Sequence, residues 1–466
     1  MIELMPNAVA AYDLMHNGTL ALAKAERQGM CFDEKYALKQ KKLLTKKINN
    51  LEKEFKSSEF FRRWQRSVKS EVNIYSNTQL GTFLYNVEKI KPASKTKKSD
   101  KGSTTEDALA SLGIPELDIL LKIRKLKKLR DTYLESFIRE NNDGVIHPVF
   151  NLNFVVTYRS SASDPNFQNI PKREKEAMTI TRNCLIPRKG HQLMEVDFGQ
   201  LEVRIAACYH NDPTMLKYLR DPTTDMHRDI AMQVFKLSKY DKANSTHSTL
   251  RKAAKNGFVF PQFYGDYFKP CAINMGHKWC RLPNGKWKKG QGPELKPGYH
   301  LSDHMISKGI RSMDDFISHI KTIEAHFWNK RFPVYKEWKT KHWELYQKNG
   351  FVDLLTGFRC RGVMSENDAI NYPIQGAAFH CLLWSYIRID SILEQKKLKS
   401  KLIGQIHDAI VLDVHPDEVV QVMTICKQVM TVDLPNTWKW INVPMEVEFD
   451  LGEVDVSWAS LKTVAF

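Results

Sequence analysis

The chain has 466 residues, which suggests about three folding units, and 42% of them are hydrophobic, so most of the chain can bury a core. Lys and Arg number 70 against 53 Asp and Glu, and the resulting net charge of +17 favours a polyanionic partner, either nucleic acid or an anionic membrane. The sequence has no apolar run of about 18 residues, and its eight cysteines are sparse and irregularly spaced. These properties exclude a membrane-spanning or secreted protein and predict a cytoplasmic one.

The first 145 residues have a helical and basic pattern. Apolar residues recur at helical spacing over 7–56, with a break at Gly29, which predicts two helices, and a third basic helix is expected near 117–139. Residues 35–69 carry 12 basic and 3 acidic side chains, most of them between the apolar positions. The basic face is either solvated or laid along a phosphate backbone.

Beyond residue 144 the pattern becomes mixed. Strand-like runs occur at 150–158, 192–197 and 401–414, with helical patterns between them, which predicts an α+β arrangement. A stretch around 270–298, rich in Lys, Trp and Gly, predicts an inserted loop. For this loop a nucleic-acid contact and a plain solvated surface are equally favoured.

Two aspartates occupy the ends of strand-like runs. Asp197 follows an apolar run and precedes a helical pattern, and Asp408 lies between two runs that predict a hairpin with this residue at its turn. Each residue alone is more commonly a helix cap or a turn residue. Two strands that each present one carboxylate can, however, hold two Mg²⁺ ions about 4 Å apart, as phosphoryl transfer requires.

Between the two aspartates lies a basic helical segment, residues 251–265. Arg251 and Lys255 are four residues apart and therefore share one face of a helix. With no acid on that face they repel each other unless an anion such as a triphosphate bridges them. For this segment considered alone, a solvated basic face is the commoner arrangement.

Together these segments resemble the polymerase domain of family A DNA polymerases, the group of bacterial DNA polymerase I and many phage replicases. The resemblance rests on six motifs in the family's order: RSS with DPNFQNIP within 159–171, DFGQLEVR at 197–204, DMHR at 225–228, RKAAKNGFVFPQFYG at 251–265, NYPIQG at 371–376 and QIHD at 405–408. It extends over essentially the whole chain. The sequence of residues 255–261 is more similar to phage-encoded members than to cellular ones.

The resemblance implies an α+β right-hand fold with an antiparallel palm sheet and helical fingers and thumb. The expected domains are the thumb 1–145, the palm 146–215 and 355–466, and the fingers 216–354 with an insert at 266–310. The implied activity is template-directed DNA synthesis, in which dNTPs are added to a primer 3′ end by two-metal phosphoryl transfer. The expected partners are primer–template DNA and dNTPs, with no membrane, and the setting is the cytoplasm of a bacterial host if the chain is phage-encoded.

The family's functional residues carry over motif by motif. Asp197 and Asp408 are the expected catalytic residues and, with the Phe198 carbonyl, would hold two Mg²⁺ ions, for which Mn²⁺ can substitute. The expected nucleotide-binding residues are Gln200, Glu202, His227, Arg251, Lys255, Phe260 and Tyr264. The expected DNA-binding residues are Arg159, Asn371, Gln375 and His407. Because the thumb-like helices begin almost at the first residue, no proofreading domain is expected, and editing or processivity would come from a separate subunit.

The fingers segment departs from the family pattern in its length. The spacing from Lys255 to Tyr264 is one residue longer than in bacterial members, and Pro261 interrupts the helix, which must end, kink or bulge there. Counting back from Tyr264 assigns the stacking position to Phe260, whereas counting forward from Lys255 would assign it to Val259.

Two further departures bear on activity. Ala409 stands where the family commonly has a glutamate, and Asn367 stands where bacterial relatives carry an arginine. Ala409 and the fingers proline support an alternative, a catalytically silent member that only binds and organises primer–template DNA. The retained aspartates favour an enzyme, and Glu202 favours deoxynucleotides over the ribonucleotides of single-subunit RNA polymerases.

Overall fold

A five-stranded antiparallel sheet forms the palm of the protein, for which a computed structural model describes residues 7–92, 96, 101–172 and 174–466. The strands lie in the order Lys401–Ile406, Ala409–Val414, Gln192–Phe198, Val447–Leu451 and Lys462–Val464. Side chains alternate along the central strand, so Met194 and Val196 face one side and Glu195 and Asp197 face the other. The first side packs on the palm core, and the second side packs through Leu193 and Val411 on the hydrophobic cluster that includes the thumb, leaving Asp197 accessible at its end.

A helix of 30 residues, Glu366–Gln395, supports the apolar face of the palm sheet. It begins with a capping box in which Ser365 and Asp368 satisfy each other's backbone N–H groups. Its middle is buried on nearly every side because a second helix, Ala8–Gln28, packs across it, with the backbone of Gly18 against Leu383. A Cβ at Gly18 would lie 2.8 Å from that leucine.

Helix Ala8–Gln28 packs on the palm. The sequence prediction assigned this helix to the thumb, but its buried residues, including Leu14 and Leu22, belong to the palm core. The physical reason is that its small buried residues, Ala11, Gly18 and Ala21, allow close approach to the long palm helix.

The thumb helices bury side chains such as Ile48, Trp64 and Ile123 in a hydrophobic core that continues onto one face of the palm sheet. Its helical segments are Glu34–Ser57, Glu59–Ser67, Asn77–Gly81, Thr82–Val87, Glu106–Ala110, Pro115–Lys128, Leu129–Leu134 and Glu135–Arg139, of which Thr82–Val87 and Leu129–Leu134 are π-helical. The two predicted N-terminal helices and the third basic helix are therefore confirmed, and Gly29 ends the first of them.

Short strands connect the thumb to the palm. A four-stranded sheet consists of Asn141–Asn142, Val145–Ile146, Met30–Phe32 and Leu185–Ile186, in that order. The strand predicted over 150–158 is wrong beyond its start, because only Val149–Asn151 forms a strand, paired with Ser161–Ser163. The rest has an alternating pattern but no neighbouring strand, so Phe154 and Val156 are exposed. The remaining palm elements are Phe167–Asn169, Lys175–Arg182, Phe351–Asp353, Arg359–Arg361, Pro416–Glu418, Val419–Gln428, Val429–Asp433, Leu434–Thr437 and Trp458–Ser460.

The fingers are helical and contain a second, aromatic-rich core that includes Phe258, Phe316 and Phe327. Their elements are Leu201–His210, which leaves the palm, then Pro213–Arg220, Met226–Val234, Ser245–Ala254, Lys255–Val259, Phe260–Phe263, Phe268–Asn274, Met275–Trp279, Glu294–Lys296, Tyr299–His300, Leu301–Ser307, Met313–His326, Phe327–Arg331 and Pro333–Asn349. Within the described residues, none of the helices is both long and apolar enough to cross a lipid bilayer.

The palm sheet depends on fully buried aliphatic side chains, so we expect Leu412→Ala to lower the free energy of unfolding of the palm by about 2–5 kcal/mol. Hydrogen exchange of peptides covering Gln192–Phe198, the neighbouring strand, should then accelerate. The matched control is Val420→Ala, whose side chain is exposed, with an expected change within about 0.5 kcal/mol. Equal exchange in the two variants would contradict this account of the sheet.

Candidate active site

The two aspartates singled out in the sequence project from neighbouring strands at one end of the palm sheet. Ile406 pairs with Ala409, so His407 and Asp408 form the two-residue turn of the predicted hairpin. Ala409 in turn pairs with Asp197, and the backbone N–H of Phe198 donates to the carbonyl of Asp408 at 3.2 Å. Sheet register therefore brings the two carboxylates together, as the sequence predicted.

Two cations lie beside these carboxylates. Lys172 Nζ is 3.4 Å from Asp197 Oδ2, and Arg159 Nη2 is 3.9 Å from Asp408 Oδ1. Burial raises the pKa of both carboxyl groups above the ordinary value, and the two cations oppose that increase. The proximity of Asp408 adds to the increase at Asp197, because two adjacent anions repel each other. A cation bound between them would relieve this repulsion.

Asp197 and Asp408 offer carboxylate oxygens as possible ligands for Mg²⁺. Within the described residues there is no group of three or more His, Cys, Asp or Glu side chains that could hold a metal ion. Ala409, directly opposite Asp197 in the sheet, accounts for part of this result because its side chain has no metal-binding atom. Two carboxylates nevertheless suit Mg²⁺, which is usually bound by one or two carboxylates together with water and substrate phosphates.

Glu195 is a buried carboxylate that the sequence prediction missed. Its Oε1 accepts from Arg182 at 2.5 Å and from the Trp458 ring N–H at 2.6 Å, and its Oε2 lies 3.4 Å from Lys172. Burial alone would raise the pKa of Glu195, but Arg182 and Lys172 together lower it below the ordinary value. Glu195 thus anchors the lysine that reaches Asp197. The sequence contained no signal for this pairing, since the two residues are 23 positions apart.

A cavity of about 170 Å³ adjoins Asp408. Its lining includes Gln200, Glu202, Phe260, Tyr264 and Asn371. The Tyr264 hydroxyl donates to Glu202, whose other oxygen lies 3.2 Å from Arg159, and Asn371 Nδ2 lies 3.5 Å from the Tyr264 carbonyl. The structure therefore brings four expected nucleotide-binding residues together, and it adds Asn371, which the sequence assigned to DNA.

A second cavity, of about 470 Å³, is lined by two further expected nucleotide-binding side chains, His227 and Arg251, whereas Lys255 is not among its lining residues. His227 is 3% exposed, and both of its ring nitrogens lack a hydrogen-bond partner among the described residues. Burial, followed by the charges of Lys255 and Arg251, lowers the pKa of His227 to about 3, so the imidazole is neutral at pH 7. A buried, unpartnered imidazole beside an arginine suits an anionic ligand that accepts hydrogen bonds.

Arg251 differs from its expected state in one respect. The sequence prediction left it without an acidic partner, yet its Nε and Nη2 lie 2.7 and 3.1 Å from the two oxygens of Asp225. Asp225 is the N-cap of helix Met226–Val234, which is a different element of the fingers. Helical spacing along 251–265 could not predict this ion pair, because Asp225 lies on a different element. Asp225 is, however, the first residue of the DMHR motif.

The extra residue before Tyr264 is accommodated by a π-helical turn. Helix Ser245–Ala254 continues as the π-helical segment Lys255–Val259, and a π-turn contains one residue more than an α-turn. Pro261 then lies in the first turn of helix Phe260–Phe263, where a missing N–H is tolerated. Val259 is fully buried while Phe260 lines the cavity, which favours the count back from Tyr264. Lys255 Nζ lies 5.2 Å from the Phe260 ring centre.

Three of the expected DNA-binding residues surround the mouth of the site. Arg159 Nη1 lies 3.4 Å from Gln375 Oε1, and His407 is exposed at the hairpin turn with a left-handed backbone, φ 52°. The loop that carries Arg159 is tied to the hairpin, since Ser160 Oγ donates to Gln405 Oε1 at 2.7 Å. Arg159 is therefore held against both catalytic motifs.

With this geometry in view, known proteins were compared with the chain. A sequence model described as DNA polymerase family A matches residues 35–274 and 319–459. The chain belongs to DNA polymerase family A. The family comprises metal-dependent enzymes, which accords with the paired aspartates.

Individual relatives agree with this assignment. DNA polymerase I of Lactococcus lactis is 28% identical over 400 residues, covering 82% of this chain and 39% of its own length. A DNA polymerase of Bacillus phage SP01 is 24% identical over 400 residues, covering 82% and 40%. The chain thus spans about two fifths of the length of these curated relatives.

A solved structure establishes the fold. The POL domain of Pol1 from M. smegmatis, in complex with DNA primer–template and dNTP, superposes with a TM-score of 0.73 at 21% identity. The match covers 96% of this chain and 70% of that one. The predicted α+β right-hand fold is confirmed.

Tyr264 is followed by Gly265, whose φ of +91° and contact with Asn367 both require glycine. A Cβ at this position would collide with the Asn367 side-chain amide. We therefore expect Gly265→Ala to cost about 1–3 kcal/mol more in urea-unfolding free energy than Gly285→Ala. Gly285 is the matched control because it has φ +78° and no atom within 4 Å of the added Cβ. An equal loss of unfolding free energy in both variants would mean that the contact with Asn367 does not require glycine at position 265.

Proposed function

We propose that this protein is a template-directed DNA polymerase that adds dNTPs to the 3′ end of a primer. The observation that carries the proposal is the pairing of Asp197 and Asp408 at one end of the palm sheet, beside a cavity lined by Glu202 and Tyr264. Primer–template DNA and a dNTP are the ligands named for the similar Pol1 structure, and we extend them to this chain.

In this proposal Asp197, Asp408 and the Phe198 carbonyl hold two Mg²⁺ ions, with Mn²⁺ as a substitute. When bound, such ions lower the pKa of the primer hydroxyl and neutralise charge on the triphosphate and the leaving pyrophosphate. The two aspartates position these charges because sheet pairing fixes their separation.

The fingers provide the groups that grip the nucleotide. Lys255 and Arg251 attract the triphosphate, and the neutral His227 donates a hydrogen bond to a phosphate oxygen from its buried position. For Arg251 the triphosphate competes with Asp225, which holds the guanidinium in place until a nucleotide arrives. Asp225 therefore orients the arginine before binding.

The walls of the smaller cavity select the sugar and the base. Glu202, held by Tyr264 and Arg159, occupies the space that a 2′-hydroxyl would need. Phe260 and Tyr264, with Gln200 beside them, bracket the base and sugar. Arg159, Gln375, His407 and Asn371 contact the primer–template near its terminus. The thumb's basic face binds the duplex backbone, so DNA affinity falls with salt.

We propose the same palm, fingers and thumb order as above, except that the thumb begins near Glu34. The preceding helix, Ala8–Gln28, packs on the palm. We further propose that the protein acts in the cytoplasm of a bacterial host and receives any editing or processivity function from a separate subunit.

One specific observation favours a second candidate, a silent protein that organises primer–template DNA. Ala409 leaves the metal site with one carboxylate fewer than the family pattern. This candidate gives no reason for the two aspartates to remain paired at the cleft, so we rank it second.

Primer extension on a recessed duplex with Mg²⁺ and dNTPs tests the proposal. Extension by the wild type, reduced by at least about 10³-fold in Asp408→Asn with unchanged DNA affinity, is the expected result, because the variant keeps shape and removes charge. Chelation with EDTA should abolish extension, and added Mg²⁺ should restore it. Extension by neither protein, with tight DNA binding by both, would favour the silent candidate.

The π-turn assignment gives a second kinetic test. Phe260→Ala should raise the KM for dNTP by about tenfold, because it removes an aromatic wall of the nucleotide cavity without a large loss of buried core. Val259→Ala should instead lower the melting temperature and leave the KM for dNTP nearly unchanged, since Val259 is fully buried. The reverse pattern would assign Val259 to the nucleotide.

A further inference from the structure

Residues 275–318 of the fingers, here called the insert, lie between the two stretches that match the family. The insert is well anchored, because its apolar side chains Leu282, Trp287 and Leu301 are buried in the fingers core. A hydrogen bond from the Trp287 ring N–H to the Pro283 carbonyl, 3.0 Å, fixes its central turn. It therefore presents a fixed outer surface to solvent.

That outer surface is strongly basic. Between residues 278 and 296 there are six Lys or Arg side chains and one acid, Glu294. All six basic residues are exposed: Lys278, Arg281, Lys286, Lys288, Lys289 and Lys296. In the part of the chain that the structure describes, Lys278 alone among them has a carboxylate within 4.0 Å. Clustered cations that outnumber the nearby acids create a positive potential that attracts polyanions.

The insert also borders a cleft between the fingers and the thumb. Lys278 and Trp279 line a cleft of about 900 Å³, and its opposite wall is the thumb, including Arg124 and Lys128. The same cleft is lined by Pro171, the neighbour of the lysine that contacts Asp197. A polyanion bound in this cleft would contact the insert and the basic side chains of the thumb together.

Lys278 has a partner that a phosphate can replace. Its Nζ lies 3.2 Å from Asp107 Oδ2 of the thumb, and the two side chains are 55% and 72% exposed. Such a solvated pair contributes little to stability, so exchanging Asp107 for a DNA phosphate costs little.

We propose that the insert is a second DNA-binding element, which contacts the phosphate backbone of primer–template DNA through its basic edge. On binding, Lys278 leaves Asp107 and pairs with a phosphate. This inference rests on the proposed function, and it adds a DNA-binding surface outside the part of the chain that matches the family.

The test compares two fourfold variants. One carries Lys278→Gln, Lys286→Gln, Lys288→Gln and Lys289→Gln in the insert; the control carries Lys396→Gln, Lys397→Gln, Lys427→Gln and Lys462→Gln at exposed palm positions. Binding of a labelled primer–template is measured by fluorescence anisotropy from about 50 to 300 mM salt. Both variants lose four positive charges, so a difference in their DNA affinity shows that the location of the lysines matters.

The insert variant should bind DNA at least about tenfold more weakly than the control at about 0.15 M salt. The slope of log K against log salt should decrease by about 0.9 for each phosphate that the variant no longer neutralises. Equal affinity and equal slope in the two variants would overturn the proposal and identify the insert as a solvated surface. Lys278→Gln alone provides a milder variant should the fourfold one melt early.

The exchange of partners is tested with Asp107→Asn. Removing the acid should tighten DNA binding about two- to threefold, because Lys278 no longer has a competing carboxylate, and this gain should vanish in the Lys278→Gln background. Weaker DNA binding by Asp107→Asn would contradict the proposed exchange of Asp107 for a phosphate. The Lys278–Asp107 ion pair would then contribute to DNA binding by holding the cleft closed on the DNA.

Failure of this inference and failure of the proposed function give different results. Single-turnover extension at saturating DNA should be equal in the wild type and the insert variant. If the wild type extends primers and the two fourfold variants bind alike, the insert proposal fails alone. If no protein extends primers but the insert variant binds DNA more weakly than the control, the polymerase proposal fails and the insert proposal stands.

Discussion

The pairing of Ala409 with Asp197 in the palm sheet is the constraint on which the site depends. Antiparallel register decides which residues meet at the end of adjacent strands, and a shift by one residue would turn Asp197 toward the apolar core. The buried side chains on the other face, such as Met194 and Leu412, make that shift unfavourable. Hydrophobic packing of the sheet thus fixes the register that places the two carboxylates at its end.

The fingers bring their groups to the same place by a different route. The π-turn before Phe260 and the left-handed Gly265 fix where the aromatic side chains point, while Asp225 holds Arg251 from a separate helix. The aromatic side chains and Arg251 are therefore each oriented by a feature of the fingers: the π-turn, the left-handed Gly265 and the carboxylate of Asp225.

The sequence was sufficient for turns and helix breaks, whereas the alternation over 150–158 predicted a longer strand than the structure contains. The hairpin around Asp408, the break at Gly29 and the interruption at Pro261 were all predictable, because turn and helix signals are local. The contact between Lys172 and Asp197 was not, since it joins segments that only the fold brings together. Counting residues likewise could not decide between Val259 and Phe260, because a π-turn changes the relation between spacing and direction.

Lys172 has one further consequence. Its ammonium lies between the carboxylates of Glu195 and Asp197, so the protein itself supplies a counter-ion to its most crowded anions. The palm sheet can therefore fold around these acids without a bound divalent ion, because a side chain of the protein itself offsets the charge that folding brings together.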